Sequence, residues 1–141
     1  MATSEEWLQK LLARVDKELI RQEQGTAAVG GMTKLGAALE GMVKACHREA
    51  LTLVEPNKRP APGRLPAGPG EWLRALAMLG SPKNAKPLVL AVVTDAQRPD
   101  GMLPRLARIR NVVAHEADIP RPADTRRLLQ EIRRWLGGLA P

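Results

Sequence analysis

Apolar residues recur at helical spacing along the first half of the chain, and this pattern predicts two long helices. Thr3 and Glu6 have the spacing of a capping box at the start of the first helix, which fades at Gln24–Gly25. Its apolar stripe comprises Leu8, Leu11, Leu12, Val15 and Leu19. After a hinge or turn predicted at Gly30–Gly31, a second helix is expected from about Met32 to Val54. Its apolar stripe comprises Leu35, Leu39, Met42, Cys46, Ala50 and Leu53. We expect the two helices to form an antiparallel hairpin.

A segment rich in proline and glycine, at about residues 55–70, separates this hairpin from a group of shorter helices. One is predicted from Glu71 to Leu79, and another begins with Pro87 in its first turn. Residues 88–93 fit a buried strand or a buried helix, and helix is favoured because no second strand candidate exists to pair with them.

Two further helices complete the prediction. The first begins near Leu103, after a turn at Asp100–Gly101, and the second runs from about Ala123 to Leu136. We therefore predict that residues 1–141 form a single all-α domain, a small bundle of about five to six helices.

The composition agrees with one globular domain. Hydrophobic residues make up 44% of the 141 residues, although Phe and Tyr are absent. The single cysteine, Cys46, excludes an intramolecular disulfide and is typical of a reducing compartment. No signal-peptide pattern and no apolar run of ~18 residues is visible, so we expect a cytoplasmic protein that does not enter a membrane. With His47 as the only other histidine besides His115, we expect no metal site and no cofactor.

Positive charge is concentrated in the last third of the chain. Residues 101–141 carry eight arginines and four acidic residues, a net charge of +4 (8 − 4), whereas seven basic and seven acidic residues cancel in residues 1–50. Arginine suits bidentate contacts to phosphate, so this patch suggests RNA as a partner. An ordinary solvated surface explains it equally well. The candidate RNA-binding residues are Arg105, Arg108, Arg121, Arg126 and Arg127.

The segment Arg110-Asn111-Val112-Val113-Ala114-His115 carries the strongest candidate chemistry. Arg110 can hold a phosphate through two parallel hydrogen bonds, and His115 can move a proton near neutral pH. Asn111 can orient either group. On a regular helix Arg110 falls within the apolar arc, so it needs a partner, either a phosphate or a carboxylate such as Glu49.

The geometry of the same helix predicts a homodimer. His115 lies about 140° from Arg110 around the helix axis, so one copy of the motif does not readily bring both groups to one phosphate. Two copies related by a two-fold axis can do so. The alternative for His115 alone is a residue that caps the end of its helix.

The pattern R-N-x-x-x-H resembles the signature of the HEPN superfamily, most specifically over residues 103–119. The resemblance implies a small all-α bundle and a metal-independent endoribonuclease with a composite site at a dimer interface. It also implies attack by the 2′-hydroxyl on the adjacent phosphate, with Arg110, Asn111 and His115 as the catalytic residues. Proteins of this kind often act as toxins or in phage defence, so an antitoxin or defence-complex protein is an expected partner. Two alternatives remain open: a non-catalytic interaction subunit, and a nucleotide-binding sensor.

Overall fold

The computed structural model describes residues 2–25, 29–59, 66, 68–80, 82–107 and 122–139. These residues form six α-helical segments and one short 3-10 turn, Pro56–Lys58, without any strand among them, which confirms the predicted all-α class. The helices are α1 (Ser4–Glu23), α2 (Val29–Leu51), α3 (Pro69–Met78), α4 (Pro87–Gln97), α5 (residues 102–107) and α6 (Pro122–Leu139).

Local sequence signals explain several helix starts. The Thr3 hydroxyl accepts a hydrogen bond from the backbone N–H of Glu6 at 3.2 Å, as predicted for the cap of α1. Pro69 and Pro87 open α3 and α4, where a missing N–H costs nothing because the first turn has no intrahelical acceptor. Residues 88–93 lie inside α4, so the prediction of a helix for this run is confirmed.

Helices α1 and α2 pack as the predicted antiparallel hairpin. The Arg48 guanidinium, near the end of α2, donates to the Ala2 carbonyl at the start of α1, with an N–O distance of 2.7 Å. Close packing at Gly41 brings the two helices together, since a Cβ atom there would lie 2.5 Å from the indole ring of Trp7. Trp7 is half-buried against the core, as are Trp72 and Trp135.

Two details of α2 differ from the sequence prediction. Gly30 and Gly31 lie inside α2 and do not form the predicted turn. Glycine costs roughly 1 kcal/mol relative to alanine in a helix, which the packing of a 23-residue helix against its neighbours can offset. The helix also ends at Leu51, so Leu53 lies beyond it and is 43% exposed, outside the apolar stripe.

One hydrophobic core lies between all the helices and is built mainly from leucine and valine. Its fully buried members are Leu11, Val15, Met42, Cys46, Ala50, Leu76, Val92, Val93, Leu129, Ile132 and Leu136. Helix α6 packs antiparallel to α1 and contributes three of them. No helix within the described ranges combines the length and the apolar composition that crossing a bilayer requires.

Candidate functional site

The structure describes four of the predicted site residues: Glu49 at the end of α2, Arg105 in α5, and Arg126 and Arg127 in α6. The other predicted residues lie outside the described ranges: Arg108, Arg110, Asn111, His115 and Arg121. The geometry of the motif itself therefore stays a prediction, and the structure describes the helix that precedes it and the helix that follows it.

The start of α5 is fixed by a side chain of the preceding helix. The Asp95 carboxylate accepts hydrogen bonds from the backbone N–H groups of Met102 at 2.8 Å and Leu103 at 2.7 Å. These donors belong to the first turn of α5, where no intrahelical acceptor exists. A negative charge at this position also interacts favourably with the helix dipole. Asp95 thus fixes where the helix begins, and Arg110 follows the last described residue of α5, Ala107, by three positions.

Gly101 makes this arrangement sterically feasible. A Cβ atom at this buried position would overlap the backbone carbonyl oxygen of Asp95. Immediately afterwards, Leu103 enters the core with 3% exposure. The predicted turn at Asp100–Gly101 is confirmed, and its structural role is to let α4 and α5 approach closely.

A cross-helix ion pair holds α5 against α6. Nη1 of Arg105 lies 2.6 Å from Oε2 of Glu131, and both side chains are partly exposed. The positive charge of Arg105 is therefore neutralised locally. Of the three candidate RNA-binding residues that the structure describes, Arg105 is thus the one tied to a carboxylate.

Arg126 and Arg127 are adjacent in α6 but have different surroundings. Arg126 donates to the carbonyl of Gln22 at the end of α1, with an N–O distance of 3.5 Å. Arg127 is exposed, and no ion pair or hydrogen bond joins it to another described residue. Arg127 is therefore the better placed of the two for an anionic ligand.

Glu49 belongs to an ion-pair cluster at the C-terminal end of α2. Nζ of Lys86 lies 2.9 Å from Oε1 of Glu49 and 2.9 Å from Oε1 of Glu5, so it joins α1, α2 and the start of α4. The hydrogen bonds to Glu5 and Glu49 raise the pKa of Lys86, and the hydrogen bond from Lys86 lowers the pKa of Glu5. The second oxygen of Glu49, Oε2, is buried without a hydrogen-bond partner among the described residues. The predicted pairing of Glu49 with Arg110 stays a prediction.

Neither Cys46 nor His47 has the environment of a catalytic group. Burial raises the pKa of the Cys46 thiol to about 12, with the Glu49 carboxylate adding to the effect, so the nucleophilic thiolate is scarce near neutral pH. Burial lowers the pKa of His47, whose ring packs edge-to-face on Trp72 with the ring centres 5.5 Å apart. This packing gives His47 a structural contact between α2 and α3.

The described residues include no group of three or more His, Cys, Asp or Glu side chains placed to hold a metal ion. We found no significant match to this chain among protein-family models, curated proteins or solved structures. The assignment of function consequently rests on the residues of this chain.

Proposed function

We propose that this protein is a metal-independent endoribonuclease whose chemistry is carried by Arg110, Asn111 and His115. The observation that carries the proposal is the R-N-x-x-x-H motif, which resembles the HEPN signature and combines a phosphate clamp, an orienting amide and a proton-transfer group. The all-α bundle agrees with the architecture that this resemblance implies. The basic α6, which follows the motif, supports a polyanionic substrate.

The proposed reaction is an intramolecular transesterification. An imidazole from His115 takes the proton of the 2′-hydroxyl while the 2′-oxygen attacks the adjacent phosphorus. The bond from phosphorus to the 5′-oxygen breaks, that oxygen takes up a proton from water, and the imidazolium then returns its proton to the solvent. Arg110 stabilises the charge that develops on the non-bridging oxygens through paired N–H groups. The products are a 2′,3′-cyclic phosphate end and a 5′-hydroxyl end.

A homodimer would place Arg110 of one copy beside His115 of the other, which gives two equivalent sites. Because Arg110 and His115 are about 140° apart on a regular helix, a site that uses both is completed most simply by two copies around a two-fold axis. Asp95 and the Arg105–Glu131 ion pair fix the position of α5, the helix that precedes the motif, and this supports a well-ordered site. A role as a toxin or a phage-defence effector, held in check by a partner protein, fits an RNase of this kind.

The experiment that tests the proposal uses end-labelled RNA in buffer with EDTA, beside the same sequence made as DNA. We expect cleavage of the RNA alone, because the DNA lacks the attacking 2′-hydroxyl, and fragments that end in 2′,3′-cyclic phosphate. Cleavage that requires an added divalent ion, or that leaves 5′-phosphate ends, would contradict the mechanism. A protein that dimerises and never cleaves RNA would instead be a non-catalytic interaction subunit.

A further inference from the structure

The four arginines of α6 form two pairs that differ in what they contact. The inner pair, Arg126 and Arg133, faces α1: Arg126 donates to the Gln22 carbonyl, and Nε of Arg133 lies 2.8 Å from Oδ1 of Asp16. The outer pair, Arg127 and Arg134, is exposed and has no ion pair or hydrogen bond to any residue within the described ranges. The inner pair therefore helps to fasten α6 to α1, and the guanidinium groups of the outer pair face solvent.

Helix geometry places the outer pair on one line. Arg134 follows Arg127 by seven positions, a rotation only about 20° short of two full turns, so their side chains project in nearly the same direction about 10 Å apart along the axis. This direction is opposite to the core side of α6, where Leu129 and Leu136 are fully buried. Two parallel guanidinium groups at this spacing suit a chain of phosphates better than a single small anion.

From residue 125 onward, where the side chains of α6 are described, the rest of this outer face neither neutralises the outer pair nor blocks it. In this described part its other exposed residues are Gln130, Gly137 and Gly138, none of which carries a charge. The neighbouring acid, Glu131, is engaged by Arg105. A polyanion can therefore approach the outer arginines closely without meeting a free carboxylate of α6 between them.

We infer that the outer face of α6, defined by Arg127 and Arg134, binds the sugar–phosphate backbone of the RNA substrate; the inference rests on the proposed function. This inference adds Arg134, which was not among the residues predicted from the sequence to bind RNA. It also assigns Arg126 to the packing of α6 on α1. Arginine forks bind phosphate oxygens bidentately and release counterions from the nucleic acid, so this contact is sensitive to salt and indifferent to base sequence.

The chemistry of α6 favours RNA over a membrane surface. A helix that lies in a lipid interface needs a free apolar face, and the apolar residues of α6 that are fully buried, Leu129, Ile132 and Leu136, already belong to the core. Within residues 125–139, no apolar side chain is exposed on the outer face of this helix. We therefore expect no binding to vesicles of anionic lipid, and the test includes such vesicles.

The test measures binding of a fluorescent 2′-O-methyl oligoribonucleotide, which has no free 2′-hydroxyl and so cannot be cleaved. Two double variants of the full chain remove the same charge from the same helix: Arg127→Gln with Arg134→Gln, and, as the matched control, Arg126→Gln with Arg133→Gln. For the outer double variant we expect the slope of log Kd against log salt to fall by about 1.4, since each single-strand phosphate contact contributes roughly 0.7. For the inner double variant we expect an unchanged slope.

The outcomes separate this inference from the proposed function. Equal slopes for both double variants, or binding to vesicles of anionic lipid in place of RNA, would overturn the outer-face assignment even if the wild-type protein cleaves RNA. Binding lost with the outer pair and kept in His115→Ala would support the assignment. If the wild-type protein then failed to cleave RNA, the catalytic proposal alone would fall.

Discussion

The Asp95 carboxylate and the backbone N–H of Leu103 are joined by a 2.7 Å hydrogen bond that ties the end of α4 to the start of α5. The interaction links two helices across a tight turn, and the segment that it anchors continues in sequence to Arg110. The position of α5, the helix that precedes the candidate motif in the sequence, thus depends on a carboxylate that takes no part in the proposed chemistry.

Removing this cap should weaken the fold measurably. We expect Asp95→Ala to lower the free energy of unfolding by about 1–2 kcal/mol, since a helix cap contributes on that order. Denaturant titration followed by circular dichroism measures the change. Asp100→Ala is the matched control, because Asp100 is exposed and, within the described part of the chain, pairs only with Arg98 two residues away. Equal stability of Asp95→Ala and Asp100→Ala would contradict the capping role.

Gly41 offers a test of the α1–α2 packing. In Gly41→Ala the new methyl group would meet the indole of Trp7, so we expect Trp7 to move, with a changed tryptophan emission and a net loss of about 1–3 kcal/mol of stability. Gly138→Ala is the control, because a Cβ atom at Gly138 meets open space. That substitution should stabilise α6 by up to roughly 1 kcal/mol through helix propensity. An unperturbed Trp7 in Gly41→Ala would argue against the close approach of the two helices.

The buried Cys46 thiol predicts a loss of stability at high pH. Its pKa rises from 9.0 to about 12 on folding, so unfolding releases a proton once the pH exceeds about 9. The contribution of the neutral Cys46 thiol to the free energy of unfolding is complete below pH 9 and disappears as the pH rises to about 12. Over this range the free energy of unfolding should fall by about 1.4 kcal/mol per pH unit. Denaturant unfolding curves measure the difference in stability between the wild type and Cys46→Ala. They are recorded from pH 8 to the highest pH at which the protein folds. Parallel pH profiles of the two proteins would show that the thiol does not carry this effect.

The dimeric site makes a complementation prediction. If Arg110 of one copy acts with His115 of the other, a mixture of Arg110→Ala and His115→Ala subunits contains heterodimers with one intact site. Random exchange should then restore about one quarter of the wild-type activity, since half of the dimers keep one of two sites. Subunits are mixed under mild denaturation and refolded before the assay. A mixture as inactive as each variant alone would place both residues in one copy.

Sequence periodicity predicted most of the helices because each helix buries one regular stripe. It failed at Gly30–Gly31, where packing along a long helix overrides an unfavourable local propensity. It also could not distinguish Arg126 from Arg127, because only the packing of α6 against α1 decides which neighbour is engaged. The cap by Asp95 escaped prediction for a similar reason. Seven residues separate Asp95 from Met102, and the turn that brings them together is defined by tertiary structure.

The most direct test of the central claim compares the two histidines of the chain in the cleavage assay with EDTA. We predict that His115→Ala lowers the rate of RNA cleavage by about 100-fold or more, as expected for the loss of a general acid–base group. His47→Ala should cleave like the wild type once folding is confirmed, because the His47 ring packs on Trp72. Equal rates for wild-type and His115→Ala protein would contradict the account.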